Sequence, residues 1–268
     1  MTVHPTGQPP SHLPAETDAQ LAARLAVEAG HLLVEVRDEL TRAGAPAWQV
    51  MDTGDLVSHR FIVKALADAR PSDAVLSEEG LEDPRRFVTD RVWIVDPLDG
   101  TSEFGEDGRD DWAVHVALWN ADHFAAGAVS IPALGMVFGT DPPPVVPASA
   151  RTRPRLVTSR SRNPYVAVIV ARALNADAVR LGSAGAKAMA VVSGEADIYV
   201  HDGGMYQWDS AAPAAVALAA GLHVSRIDGT PMVFNDADPW LPDLLICRPE
   251  LAEPVLEALR QGRREAWR

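Results

Sequence analysis

The chain reads as an α/β protein in two parts, an α+β half joined to an α/β half. Three observations predict this. Apolar residues recur at helical spacing near the start, short apolar segments follow one another between residues 113 and 139, and strand-like and helix-like segments alternate after a proline-rich break. The 268 residues divide into a leader over 1–15, an α+β part over 16–141 and an α/β part over 142–268. The two parts are read as one unit, with the groove between the halves as the expected place for a site.

Met1 to Pro14 is rich in Pro, Gly, His and Ser and reads as a disordered leader. It has neither a basic start nor an apolar run, so it is not a secretory signal. From Thr17 to Leu40 a helix is predicted: Thr17 or Asp18 caps it, and Leu21, Leu25, Ala29, Leu32, Leu33 and Val36 share a face. Gly44 and Pro46 break it. A second helix covers Leu56 to Ala69 and stops at Pro71. Ala74–Leu76 and Val92–Val95 are short strands. Ala113–Trp119, Ala125–Ile131 and Gly135–Gly139 read as successive antiparallel strands. Asp141 to Arg155 is the linker candidate. Beyond it come a strand at Leu156–Thr158, a helix at Pro164–Leu174, a strand at Ala178–Leu181 and a helix at Ala184–Ser193. A strand at Ala196–Val200, a helix at Ser210–Ala220, a strand at Leu244–Cys247 and a helix at Leu251–Arg260 complete the pattern.

The net charge of −13 argues against a broad nucleic-acid or anionic-membrane surface, because both attract basic proteins. A small phosphate ligand stays open, since a bound metal reverses the local field. The single cysteine, Cys247, rules out an intrachain disulfide framework and fits a reducing cytoplasm; its simplest reading is a small buried residue. No apolar run approaches the ~18 residues that span a bilayer. Trp112 and Trp119 read equally as core or interface, and a homodimer is compatible with the sequence.

The chemistry concentrates in Trp93-Ile94-Val95-Asp96-Pro97-Leu98-Asp99-Gly100-Thr101. A buried strand ends in two carboxylates three residues apart, followed by a Gly-Thr step that opens a helix. Hard carboxylates beside free N–H groups suit a divalent cation held against a phosphate. Glu78, Asp96, Asp99 and Asp209 are the four acids placed after apolar segments or at a helix start, and the Leu98 carbonyl is a further oxygen. Two ions about 3.5–4 Å apart need such acids to converge from separate segments. Each has a plainer reading: a proline turn for Asp96–Thr101, a solvated acidic turn for Glu78-Glu79, and a helix cap for Asp209.

Taken together, Glu78-Glu79, the Asp96–Thr101 motif, Gly182-Ser183-Ala184 with Lys187, Gly194-Glu195-Ala196-Asp197 and Trp208-Asp209-Ser210-Ala211-Ala212 resemble the inositol monophosphatase superfamily of Mg²⁺-dependent, Li⁺-sensitive phosphatases. The resemblance runs from about Asp18 to the C-terminus. It implies a layered αβαβα sandwich and two or three Mg²⁺ ions, with Mn²⁺ as a substitute. It implies metal ligands at Glu78, Asp96, the Leu98 carbonyl, Asp99 and Asp209, and a proton-accepting pair of Thr101 and Asp55 beside Glu78. It also implies substrate contacts at Asp99, Gly100, Thr101, Ser183, Lys187 and Asp209. Around Asp55 the family shows Asp-x-Val-Thr-x-x-Asp, whereas this chain has Gln49-Val50-Met51-Asp52-Thr53-Gly54-Asp55.

Within the superfamily, Leu76-Ser77-Glu78-Glu79, Thr101-Ser102-Glu103-Phe104 and Lys187 look most like the CysQ-type 3′-phosphoadenosine 5′-phosphate phosphatases. That subgroup implies release of the 3′-phosphate to leave AMP, in sulfur assimilation, and extension to the sulfated relative, 3′-phosphoadenylyl sulfate. Members often carry an arginine shortly before the Trp-Asp motif, where this chain has His201-Asp202-Gly203-Gly204-Met205-Tyr206-Gln207. Lys187, His201, Arg109, Arg160 or Arg162 would then meet the second phosphate, although His201 read alone is a surface residue. Asp202 stands where inositol-specific members carry an acid, so inositol 1-phosphate and fructose 1,6-bisphosphate are the alternative substrates. A catalytically silent metal or nucleotide sensor is the competing class, and the presence of all four acids speaks against it.

Overall fold

The structure is a computed structural model that describes residues 15–162 and 164–266. The leader reading for residues 1–14 lies outside the described residues. Two long helices come first, α1 (Asp18–Arg42) and α2 (Ala47–Ala69). Strands β1 (Ala74–Ser77), β2 (Arg91–Asp99), β3 (Ala113–Asn120), β4 (His123–Ile131) and β5 (Met136–Gly139) form the first sheet in sequence order. The β1–β2 pair is parallel and the rest are antiparallel. The second sheet is built from β6 (Arg155–Ser159), β7 (Asp177–Leu181), β8 (Ile198–Tyr206), β9 (His223–Ser225) and β10 (Trp240–Cys247), in the order β7-β6-β8-β10-β9. Here β6 runs parallel to β7 and β8, while β10 is antiparallel to β8 and β9. The remaining helices are α3 (Thr101–Gly105), α4 (Tyr165–Ala173), α5 (Ala184–Val192), α6 (Gln207–Ala219) and α7 (Pro249–Ala266).

Strand alternation sets the layers. In the first sheet Trp93, Val95, Val114, Val116 and Leu118 face α1 and α2, and Ile94, Ala113, Ala117 and Trp119 face the other way. That second face packs on α5 and α6, which also meet Val157, Tyr199, Leu244 and Ile246 of the second sheet. The opposite side of the second sheet, through Leu156, Ile198, Val200, Leu245 and Cys247, packs on α4 and α7. The result is the αβαβα sandwich. Because the middle layer is sealed on both sides, α5 and α6 are almost wholly apolar, and Lys187 is one of the few charges buried there. Trp112 and Trp119 are core residues, and Cys247 is buried with its thiol pushed up to about 12 by loss of water. No helix among the described residues is long and apolar enough to cross a membrane.

Several elements differ from the sequence reading: shifts in α2, β2, β8 and α6 carry site residues, and β10 begins at Trp240, not Leu244. Helix α2 begins at Ala47, not Leu56. Pro46 ends the preceding turn yet sits at the N-cap, where its missing N–H costs nothing. Asp55 is therefore a helical residue. Strand β2 continues past Val95 to Asp99, with an irregular register between Asp96 and Asp99. Strand β8 continues through the Gly203-Gly204 step to Tyr206, and α6 starts at Gln207, so Asp209 lies inside the first turn and is not its cap. The short β9 has no counterpart in the sequence reading; three residues carry too little pattern to be seen.

Gly54 shows why α2 sits where it does. A Cβ there would lie 2.6 Å from Phe104 Cε1 and 3.0 Å from Leu98 Cδ2, so the helix backbone rests on the strand and turn that carry Asp96–Thr101. Alanine is the better helix former by about 1 kcal/mol, but overpacking a closed contact costs roughly 1–3 kcal/mol. Gly54→Ala is expected to lower stability in chemical denaturation despite its propensity gain; a stabilised variant would show that this contact yields freely.

Candidate active site

Asp96 and Asp99 come from the end of β2 and Asp209 from the first turn of α6. One carboxylate oxygen from each lies within 4.8 Å of the others. Asp96 is buried, and its Oδ1 accepts the Leu98 N–H at 3.1 Å. Asp99 faces the start of α5: Oδ1 accepts Ala184 N–H at 3.1 Å and Oδ2 accepts Gly185 N–H at 2.5 Å. A carboxylate belongs there, because the first N–H groups of a helix lack internal partners and favour negative charge. Asp209 reaches back to accept the Tyr206 N–H at 2.5 Å. It thus supports the start of its own helix and remains in the cluster, so its capping and cluster roles coexist.

Glu78 follows β1 and its N–H donates to Val95 O at 3.4 Å. The residue is exposed, yet neighbouring atoms displace water from its carboxyl, and the charges of Asp209 and Asp55 add to that; together they push it up to about 7. Asp96 is held well above the carboxylate range by burial and by the charges of Glu78, Asp99 and Asp209. Asp209 rises to about 6 through burial and the Asp99 charge. Asp99 goes the other way. Burial opposes its ionisation, but the His115 ring, the Gly185 N–H and the Lys187 charge hold it low.

On the far side, Thr101 Oγ1 lies 3.3 Å from Asp55 Oδ1 and 3.1 Å from the Leu98 carbonyl, which its hydroxyl bridges. Asp55 is pushed up to about 7, mainly by loss of water and next by the charge of Glu79. Gly100 takes φ +88° to turn the chain from β2 into α3, and a Cβ there would lie 2.8 Å from Ser183 Cβ. Ser183 caps α5 by accepting Ala186 N–H at 3.0 Å. Its hydroxyl proton has a free direction, since accepting leaves the donor unused.

Lys187 is buried, not on a solvated helix face. Its Nζ donates to the Gly182 and Ser183 carbonyls, and loss of water lowers it to about 8 against the pull of Asp99 and Glu103. Its cationic charge therefore acts on the acids through the interior. His201 is also buried, with Nε2 3.0 Å from the Gly204 carbonyl, which corrects its reading as a surface residue. Of the three candidate arginines, Arg109 pairs with Asp111 and Arg160 with Glu103 and Glu106. Arg162 has no ion pair among the described residues. Asp99, Gly100, Ser183, Lys187, His201, Arg162 and Asp209 line one cavity of about 330 Å³, together with Tyr206 and Trp240.

The sequence reading missed His115. Its Nε2 lies 3.2 Å from Asp99 Oδ2, without the alignment of a hydrogen bond, and its Nδ1 3.2 Å from the Trp208 carbonyl. Each ring nitrogen therefore faces an oxygen acceptor. The available signal was alternation: His115 shares the inward face of β3 with Ala113, Ala117 and Trp119, and a lone ionisable residue on such a face needs a partner.

Three converging acids form an oxygen donor set suited to a hard divalent cation, and the raised carboxyls of Asp96 and Asp209 show that the cluster resists full ionisation by itself. The stability consequence has a definite sign. Folding raises Glu78, Asp96, Asp209 and Asp55 above their unfolded values near 4, so the folded chain binds more protons and loses stability as pH climbs through about 6 to 7. Asp99, held low, acts oppositely but only at acidic pH. In chelator, the melting temperature is expected to fall between pH 5.5 and 8, and Mg²⁺ is expected to raise it more at pH 8 than at pH 5.5. A cation effect independent of pH would detach the cation from these acids.

Comparison with known proteins places this geometry among phosphatases. The sequence profile of the inositol monophosphatase family matches residues 15–263. A Mycobacterium tuberculosis protein named 3′-phosphoadenosine 5′-phosphate phosphatase is 47% identical over 249 residues, covering 90% of this chain and 91% of its own. The 3′(2′),5′-bisphosphate nucleotidase CysQ of Escherichia coli O157:H7 is 28% identical, covering 81% of this chain and 94% of its own. The structure of inositol monophosphatase II from Staphylococcus aureus MSSA476 superposes with a TM-score of 0.74 at 20% identity, over 88% of this chain and 92% of its own, which establishes a shared fold.

Proposed function

The chain belongs to the inositol monophosphatase family, whose members are metal-dependent phosphatases, and within it we propose a Mg²⁺-dependent hydrolase that removes the 3′-phosphate of 3′-phosphoadenosine 5′-phosphate to leave AMP. The observation that carries this reading is the convergence of Asp96, Asp99 and Asp209, of which Asp99 and Asp209 line the cavity that also holds the Lys187 charge. The relatives named for this substrate at 47% identity support the choice of ester.

Glu78, Asp96, the Leu98 carbonyl, Asp99 and Asp209 would hold the cations. Divalent ions bound there would lower the pKa of a water and stabilise the leaving oxygen. The chain's own groups do the rest. Asp55, poised near 7 and reached by the Thr101 hydroxyl, takes the proton released by the attacking water, because a base works best with a pKa close to the operating pH. Glu78, also near 7, stands across the cluster as a second acceptor. Backbone N–H groups at Gly100 and Thr101, at the turn into α3, orient the phosphate. Ser183 and Lys187 close the cavity beside it.

Asp202, on β8 at the position where inositol-specific relatives carry an acid, favours a second reading as an inositol 1-phosphate or broad sugar phosphatase that includes fructose 1,6-bisphosphate. Phosphate release with Mg²⁺, compared as kcat/KM on the three substrates, separates the readings. A preference of about 100-fold for the nucleotide, roughly 2.7 kcal/mol in differential transition-state binding, is the expected result; equal rates or a preference for a sugar phosphate supports the second. Asp96→Asn is expected to lower kcat by at least about a thousandfold, in line with removing a group that stabilises the transition state directly. Full turnover in that variant would remove Asp96 from the mechanism.

A further inference from the structure

The acids occupy the inner part of the cavity, and a different chemistry lines its rim. Tyr206 and Trp240 are directly paired across the antiparallel β8–β10 ladder. Their ring centroids lie 5.6 Å apart in an edge-on arrangement, and they are 43% and 46% exposed. Aromatic side chains of this size are ordinarily covered, so two of them open at the mouth of a polar cavity call for an occupant. Both are held in place. Tyr206 stacks on Trp208 at 4.8 Å with the planes 12° apart. Trp240 lies so close to the Gly204 backbone that a Cβ there would fall 1.6 Å from a ring carbon, so only glycine admits it. The segment leading to Trp240 is tied down as well: Gln207 accepts Asn235 N–H at 2.6 Å, and the Pro239 carbonyl accepts Gln207 N–H at 2.8 Å. Buried Arg86 donates to the Asp236 and Ala237 carbonyls in the same segment.

Arg162 stands beside these rings, with its N–H anchored on Ser159 Oγ at 3.2 Å and Nη1 3.5 Å from the Gly204 carbonyl. Its charge reaches the buried Tyr199 and His201 of the same cavity, and no carboxylate among the described residues neutralises it. In a chain of net charge −13, a cation left without an acid beside two exposed rings is a recognition device.

We propose that this rim is a nucleotide subsite in which Tyr206 and Trp240 take the flat base and Arg162 takes the phosphate that is not cleaved. A sugar monophosphate would leave the rings and the guanidinium unused, and a sugar bisphosphate would leave the rings unused. A nucleoside bisphosphate engages all three, with the phosphate to be cleaved at the acid cluster. The inference rests on the phosphatase reading above and adds the residues that select the ester.

The test compares the wild-type enzyme, Arg162→Gln and Trp240→Leu with Mg²⁺ on 3′-phosphoadenosine 5′-phosphate, on 3′-AMP, which lacks the second phosphate, and on inositol 1-phosphate. Melting temperatures confirm that both variants fold; should Trp240→Leu fail to, Tyr206→Leu replaces it. Arg162→Gln is expected to lower the bisphosphate-to-monophosphate ratio of kcat/KM among the nucleotides by about tenfold or more, the loss of a charge-assisted contact. Trp240→Leu is expected to lower both nucleotides against inositol 1-phosphate by about fivefold or more, the loss of a stacking contact. Uniform effects across the substrates, or none, overturn the subsite. The wild-type ranking of the three substrates judges the proposed reaction separately, because the subsite is read only from variant-to-wild-type ratios.

Discussion

Three carboxylates whose oxygens converge within 4.8 Å impose the constraint around which the rest of this molecule is arranged. Unit charges at that separation repel by roughly 3–4 kcal/mol at an effective dielectric of about 20, so the fold must supply compensation from outside the cluster. It does so unequally. Asp99 receives two helix N–H groups, the His115 ring and the Lys187 field, and it ionises readily. Asp96 has the Leu98 N–H and is crowded by three acids, so its carboxyl is held well above the usual carboxylate range. Asp209, helped by the Tyr206 N–H, lies between these extremes. The protein is thus built to hold positive charge at one point.

That unequal support depends on the middle layer of the sandwich. Helix α5 directs its N-terminus at Asp99 because its apolar surface is buried between the two sheets. Helix α6 presents Asp209 from the same layer, and the Trp208 carbonyl at its start meets the His115 ring from β3. Lys187 is tolerated in this apolar layer because two carbonyls and the nearby acids compensate its burial. Loosening this layer would disturb the electrostatics before it exposed any ligand.

Much was legible in the sequence because it was local. The helix of α1, the strand β3 and the Asp96–Thr101 motif are each written in one continuous stretch of sequence, where apolar periodicity and turn chemistry act. Pairing Thr101 with Asp55 was implied by the resemblance even though the surrounding pattern departs from the family's, and the structure brings the two side chains together at 3.3 Å. The errors were local too. The helix read from Leu56 begins just after Gly54, and the strand read to Val200 stops short of the Gly203-Gly204 step. In the folded chain Gly54 and Gly204 are points of close approach, to Phe104 and to Trp240.

The sequence by itself pointed to the class of chemistry through two motifs, the paired aspartates of one turn and a Trp-Asp helix start, but only the fold brings their oxygens into one donor set. The layer order was implied by the resemblance, and the near-continuous apolar runs of β2 and β3 fit strands with two buried faces. Only the tertiary structure decided which charges are spent and which are free. Arg109 and Arg160 are equivalent to Arg162 along the chain, yet they meet Asp111, Glu103 and Glu106, and Arg162 meets no acid among the described residues. His115 is an ordinary strand residue until Asp99 arrives beside it from β2. Pairing and desolvation depend on distances between residues remote in sequence, and packing alone sets those distances.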